Sequence, residues 1–390
     1  MANIVDYAKL NCDLTFKEQA LSIEDALVLC ELSYLKFDGL LEPMSKEPVS
    51  IKELASKDNS RNMFSDPKYG KDYEKLFNAA LASKRFGDIA FSFYINKIEV
   101  ENETQFAAVT YTLPTGDLFL AFRGTDESIV GWQEDFMLAL DIPHAGRSLS
   151  VDYVNEVAAN TVGRLYTGGH SKGGNHAVFS SMNADPSAKE RIINVFSFDG
   201  PGFRPEVIKE YHGEDMVDRM VSVIPQSSLV GLLLDTGKDS IVVNSHAVGV
   251  MQHNPYYWVI KNGRFVRTEI SEQHKLLIAT FNEWLFSLDE AHLERFVRLF
   301  CEVLDATEAS TTRELTGQIF KSAGNVIKRA KDVDDSTKEF LQGLIRSYFE
   351  IAKDLVKTEV KEKFDEASKA IKSSKKTEKK ITIKGDKENE

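Results

Sequence analysis

Apolar residues recur at helical spacing near the start of the chain and at strand spacing through its middle, and this change of period divides it. SIEDALVLCELSYLKF, residues 22–37, opens on Ser22 with Asp25 three positions on, a short-armed capping box ahead of an amphipathic helix. Residues 51–59 and 71–83 continue the helical pattern. From residue 89, IAFSFYINKI, FAAVTYTL and LFLAFRGT are rich in β-branched and aromatic residues and read as strands, with PTGD at 114–117 as a hairpin turn. Residues 127–160 return to helical or loop character. GRLYTGGHS then ends an apolar run in glycines, KGGNHAVFSSMNA reads as a helix, IINVFSFDG as a buried strand, RPEVIKEYHG as a helix, and MVSVIP and SIVVNS as strands.

That succession predicts βαβ crossovers and a mostly parallel sheet with helices on both faces, an α/β core over about residues 85–265. An N-terminal helical segment, 1–84, packs on it. Beyond Ser271 the strands stop, and residues 266–360 form a C-terminal helical appendage. Its amphipathic pattern suits a cap over the site, a lipid-facing surface or a dimer contact, with a plain packed accessory bundle as the default. Residues 361–390, rich in Lys, Glu and Ser, have too few apolar side chains to order themselves and are expected to be a disordered tail.

With 390 residues, of which 42% are hydrophobic, the chain can bury a sizeable core, and a net charge of −12 argues against nucleic acid as a partner. Cys12, Cys30 and Cys301 stand far apart with no CxxC, so neither a disulfide framework nor a zinc site is expected. No cofactor motif is present. The N-terminus lacks the basic start and apolar stretch of a secretion signal, and no run reaches the roughly 18 apolar residues of a membrane span. The expected protein is soluble and cytoplasmic. Its Lys-rich end allows a peripheral contact with anionic membrane, which the interleaved acids weaken.

YTGGHSKGGNH, residues 166–176, wraps one serine in glycines between a strand and a helix. A Gly-rich turn, a phosphate loop and a nucleophile are the three readings, and the phosphate loop fails because no G-x-x-x-x-G-K-[ST] is present. Gly169-His170-Ser171-Lys172-Gly173 fits the G-x-S-x-G nucleophile elbow, in which a sharp strand-to-helix turn leaves no room for a Cβ at the flanking positions. An acyl-transfer serine needs two donors for the oxyanion. The Lys172 N–H supplies one, and Thr125, in the loop after LFLAF, is the natural second.

AFRGT, GW-x-x-DF at 131–136 and GGHSKGG together resemble the class 3, fungal-type lipases. IVDYAKLNCDLTF, ALVLCELSYLKF, FDGPGF and QHNPYYW add a similarity to a largely bacterial group of lipase-like α/β-hydrolases, also called Mbeg-like, over about residues 4–262. The resemblance implies the α/β-hydrolase fold, a small ester or lipid substrate, and a Ser, acid, His triad in that chain order. Fungal lipases carry their aspartate where this chain reads VSVIPQSSLVG, with Ser227 or Ser228 in its place. Asp199, ending the preceding strand, takes the role, with Asp235 and Asp239 in reserve. His253 is the expected base and His246 the runner-up; His170 and His176, beside the elbow, suit packing or capping. Arg123 is expected to brace the oxyanion loop through Asp126 or Asp135, whose own roles are loop capping. Lys172, replacing the leucine of the lipase motif, is expected to be exposed and to favour a polar or anionic ester. A non-catalytic scaffold and another acyl transfer, by a transacylase or peptidase, remain alternatives.

Overall fold

The computed structural model describes residues 1–10, 13–99, 104–124, 145–203, 214–228, 230–234 and 238–289, with Val207, Ala291, His292, Arg295, Glu339 and Gly343. The chain divides into two compact units, Met1–Ser271 with Asp289–Lys331, and Glu272–Leu288 with Asp332–Glu390.

The first unit is built on an eight-stranded sheet whose spatial order follows the chain: β1 (Val49–Ser50), β2 (Ala90–Glu99), β3 (Thr104–Thr112), β4 (Leu118–Phe122), β5 (Leu165–His170), β6 (Ile192–Phe198), β7 (Met220–Pro225) and β8 (Ile241–Val243). β1 to β4 pair antiparallel and β4 to β8 pair in parallel. This is the α/β-hydrolase type of sheet. The β3–β4 hairpin closes at PTGD, where Gly116 has φ 85° and the Leu113 N–H donates to the Asp117 carbonyl at 2.9 Å.

Every residue of β4 is buried because both faces are covered. Leu118, Leu120 and Phe122 enter one core with Tyr153, Val154 and Val157 of α5 (Ala145–Asn160) and Ala177, Val178 and Met182 of α6 (Lys172–Asn183). Phe119 and Ala121 enter the other, with residues of α1 (Ile4–Leu10), α2 (Ile23–Leu32), α3 (Ile51–Ser56) and α4 (Gly70–Ala82). Ala188 of α7 (Pro186–Arg191) and Met216 of α8 (Glu214–Arg219) join the first core. Helices do cover both faces, but for a different reason from the expected one. Successive parallel strands all step the same way across the sheet, so right-handed crossovers put their helices on one face. The N-terminal helices supply the second layer.

The apolar run of residues 22–37 is helical only to Leu32, since the Ser33 hydroxyl donates to the Cys30 carbonyl at 2.6 Å and the chain turns away. The helix expected over residues 204–213 lies outside the described residues apart from Val207. A hairpin of β9 (Ile260–Lys261) and β10 (Arg264–Phe265) was not expected, although Asn262 and Gly263, at φ 53° and 71°, are the usual residues of its turn. The second unit contributes α9 (Glu272–Ser287). Among the described residues, no helix is long and apolar enough to cross a membrane.

Arg85 ties the N-terminal layer together. Only 2% exposed, it meets the Asp25 carboxylate through Nε at 2.6 Å and donates to the carbonyls of Leu14, Thr15, Gln19 and Ala20. Asp25 also accepts from the Tyr7 hydroxyl at 2.8 Å and, as the capping-box acid, from the Ser22 N–H at 2.8 Å. Removing one partner strands a buried charge and several carbonyls. Arg85→Met is expected to cost about 3–5 kcal/mol in urea denaturation, and a loss within about 1 kcal/mol, the range of exposed ion pairs, would contradict this account.

Candidate active site

β5 ends in Gly168, Gly169 and His170, Ser171 turns the chain, and α6 starts at Lys172. Ser171 takes φ 57° and ψ −130°, a sparsely populated conformation that costs on the order of 1–3 kcal/mol. Its N–H donates to the Phe198 carbonyl at the end of β6, at 2.9 Å. The elbow closes so tightly that a Cβ on Gly169 would lie 2.2 Å from the Gly173 carbonyl carbon, and one on Gly173 would lie 2.0 Å from the Phe122 carbonyl oxygen. Glycine at both positions is therefore a requirement of this turn.

Ser171, His253 and Asp199 are brought into one hydrogen-bonded row. Ser171 Oγ lies 2.8 Å from His253 Nε2, and His253 Nδ1 lies 2.7 Å from Asp199 Oδ2. A carboxylate only accepts, so Nδ1 carries the ring hydrogen and Nε2 accepts from the serine hydroxyl. Asp199 follows β6 at φ 48°, and its N–H donates to the Val223 carbonyl at 2.8 Å. Its second oxygen accepts from the Ser228 hydroxyl and, at 3.1 Å, from the Gly231 N–H. Ser228, noted in the sequence only as a missing carboxylate, thus orients the carboxylate that stands one strand away.

His253 ends a 3-10 turn, Gly249–His253. The carbonyls of its neighbourhood are held by side chains: Trp258 Nε1–H donates to Gln252 O at 2.7 Å, and His170 Nε2 meets His253 O at 2.8 Å. The N-terminal layer grips the following segment through Asn3 Nδ2, which donates to Tyr256 O at 3.0 Å, and through Glu24, which accepts from the Phe265 N–H at 2.9 Å.

Other expected residues stand elsewhere. Lys172 is not exposed but 1% accessible, its ammonium donating to the Gln105 carbonyl at 2.8 Å. A flexible amine on the first turn of a packed helix is drawn inward to a carbonyl there, so it presents no surface cation to a substrate. As the first residue of α6 it still contributes a backbone N–H that the helical ladder does not use. Thr125, Asp126, Asp135 and Asp235 lie outside the described residues. Arg123 donates to Asn96 Oδ1 at 2.9 Å. Asp239 is exposed, and His246 is an exposed ring edge-on to Tyr257, 5.3 Å away. His176 is buried against Phe106.

Sequence reasoning missed Glu31, an acid in the last turn of α2 among buried apolar residues. It is 3% exposed, and Oε1 sits 3.5 Å from His170 Nδ1. Burial raises its pKa to about 8. Burial, with His253 beside it, holds His170 well below the ordinary histidine value.

The Mbeg1-like family's sequence pattern matches residues 80–302. Among solved structures, M37 lipase is similar at 14% identity with a TM-score of 0.35, covering 56% of this chain and 70% of that one. The Rhizomucor miehei lipase in its propeptide complex is similar at 14% identity with a TM-score of 0.31, covering 40% of this chain and 57% of that one. No curated protein matches.

Glu31 makes stability depend on pH with a definite sign. The folded protein keeps a proton on this carboxyl up to about pH 8, whereas the unfolded chain releases it near the ordinary value of 4.5. Between those values the native state binds the extra proton, so this group lowers stability as pH rises, by up to about 1.4 kcal/mol per unit. Glu31→Gln is expected to be more stable than the parent by a margin that widens from pH 5 to pH 8. Thermal melting across that range checks it, and a constant margin would contradict it.

Proposed function

The chain belongs to the Mbeg1-like family, and on that premise we propose that it is a serine hydrolase cleaving carboxylic esters through an acyl-enzyme on Ser171. The observation that carries this reading is the row from Ser171 Oγ through His253 to Asp199, at 2.8 Å and 2.7 Å. Distances of that size let the ring take the hydroxyl proton as the oxygen attacks.

In this mechanism Ser171 Oγ bonds to the ester carbonyl carbon while its proton passes to His253 Nε2. The carbonyl oxygen, now negative, is held by the Lys172 N–H, with Thr125 as the second donor. The carbon–oxygen bond to the alcohol then breaks, and the alcohol leaves with the proton from Nε2. Water attacks the acyl carbon, returns a proton to Nε2, and the acid departs as Ser171 regains its hydrogen. Asp199 holds the ring in its Nδ1–H tautomer and stabilises the imidazolium formed twice per cycle. A lipid-like acyl chain is the substrate class implied by the resemblance to class 3 lipases, and a cytoplasmic location belongs to the same proposal. The scaffold alternative drew its best support from the missing acid at the fungal-lipase position, and the 2.7 Å between His253 Nδ1 and Asp199 Oδ2 favours the hydrolase reading over it.

Hydrolysis of a p-nitrophenyl ester series tests the reading. Asp199→Asn keeps the shape of the row but disturbs the ring's tautomer, and is expected to lower kcat on the order of 10⁴-fold. Ser171→Ala is expected to abolish turnover at the site. Unchanged hydrolysis in the Ser171→Ala protein would contradict the reading.

A further inference from the structure

The ester chemistry leaves His170 without a part, although it is the residue before the nucleophile and 7% exposed. Its two nitrogens are both engaged. Nε2 lies 2.8 Å from the carbonyl oxygen of His253, and a carbonyl can only accept, so the hydrogen is on Nε2. Nδ1 lies 3.0 Å from the Tyr34 hydroxyl, which donates to it. These two bonds describe a neutral ring in one tautomer. The ring also lies against that of His253, centroid to centroid 4.6 Å at 36°.

Tyr34 is held in place from several sides. It stacks on Tyr73 at 5.9 Å, and Tyr73 in turn meets Tyr256 at 6.2 Å. The loop leaving β4 passes so close that a Cβ on Gly124 would come 2.3 Å from the Tyr34 hydroxyl and 3.2 Å from Ser171 Cβ. Glu31, one turn before Tyr34, faces Nδ1 at 3.5 Å, and its Oε1 is buried with no hydrogen-bond partner among the described residues. The groups facing His170 are therefore Glu31 and Tyr34 from α2 and the turn after it, His253 from its 3-10 turn, and the Trp258 ring, 6.5 Å away and edge-on.

Resting on the hydrolase reading above, we infer that His170 is a positioning residue for the triad, a permanently neutral ring that anchors the main chain of His253 and keeps a second positive charge off the imidazolium formed there. The anchor works because it fixes the main chain of the one residue whose ring must meet both Ser171 Oγ and Asp199 Oδ2. The charge requirement follows from distance, since two cations 4.6 Å apart in a buried site repel strongly. Tyr34 sets the tautomer by filling Nδ1. Glu31 serves the same end by staying protonated, because a carboxylate in its place would draw a proton onto Nδ1.

Three variants test this: His170→Phe, which keeps an aromatic volume without either hydrogen bond; His170→Gln, whose carboxamide can donate to His253 and accept from Tyr34; and Tyr34→Phe. Thermal melting establishes that each is folded, and Tyr34→Phe, lacking only a hydroxyl, carries the test should the His170→Phe protein fail to fold. In ester hydrolysis His170→Phe is expected to lose roughly 10- to 100-fold in kcat with KM within about threefold, and His170→Gln to recover most of it. Nitrogen NMR of labelled histidines reads the anchor without any turnover. In the parent, His170 is expected to remain in the Nε2–H form from pH 5 to pH 8, and in His170→Phe the titration midpoint of His253 is expected to move. A His170 that takes up a proton in that range, or a His253 unmoved in folded His170→Phe, overturns the inference. A parent that hydrolyses no ester while His170 behaves as expected contradicts the hydrolase reading and leaves the anchor standing.

Discussion

Ser171 holds a backbone conformation, φ 57° and ψ −130°, that a side chain makes costly, and the ends of three strands keep it there. Its N–H is taken by Phe198 at the end of β6, while the glycines around it fold the first turn of α6 against Phe122 at the end of β4. Release any of these contacts and the serine relaxes toward an ordinary turn, with its hydroxyl no longer aimed at His253. The same strand end that clamps the nucleophile continues directly into Asp199, so one piece of backbone fixes both ends of the row. The spacing between them is thus set by sheet pairing between β5 and β6 rather than by loop conformation.

His253 reaches the row from far along the chain, on a segment with little regular structure, and it is placed by what touches its backbone. Trp258 and His170 hold two successive carbonyls, and the N-terminal layer holds the next residues through Asn3 and Glu24. The helices ahead of the sheet therefore have a function beyond covering an apolar face. They bridge β4, β5 and the histidine segment, and the buried Arg85–Asp25 pair fixes that layer to itself.

Much of this was legible in the sequence because the chemistry constrains local composition. A strained strand-to-helix turn demands glycine on both sides of Ser171, so the elbow is visible as a pentapeptide. Asp199 was legible because the first acid after the strand IINVFSF lies at the edge where parallel strands open. Lys172 was misjudged: a lysine reads as exposed by type, and only the fold reveals the carbonyl of Gln105 that draws it inward. Ser228 and Glu31 were invisible as functional groups because their meaning lies in partners distant along the chain, Asp199 and His170. The one-sided crossovers could not be read from element order, since strand order within the sheet is a tertiary property. The β9–β10 hairpin was legible in principle, in Asn262-Gly263, and was passed over because strands of two residues carry no period.

The most direct test is covalent. A fluorophosphonate is attacked by a serine that a histidine activates, so peptide mapping of the treated protein by mass spectrometry reports which hydroxyl is aimed and deprotonated. One adduct is expected, on the peptide containing Ser171, and none on the Ser171→Ala protein. An unlabelled protein, or an adduct on a different serine that persists in Ser171→Ala, would contradict it.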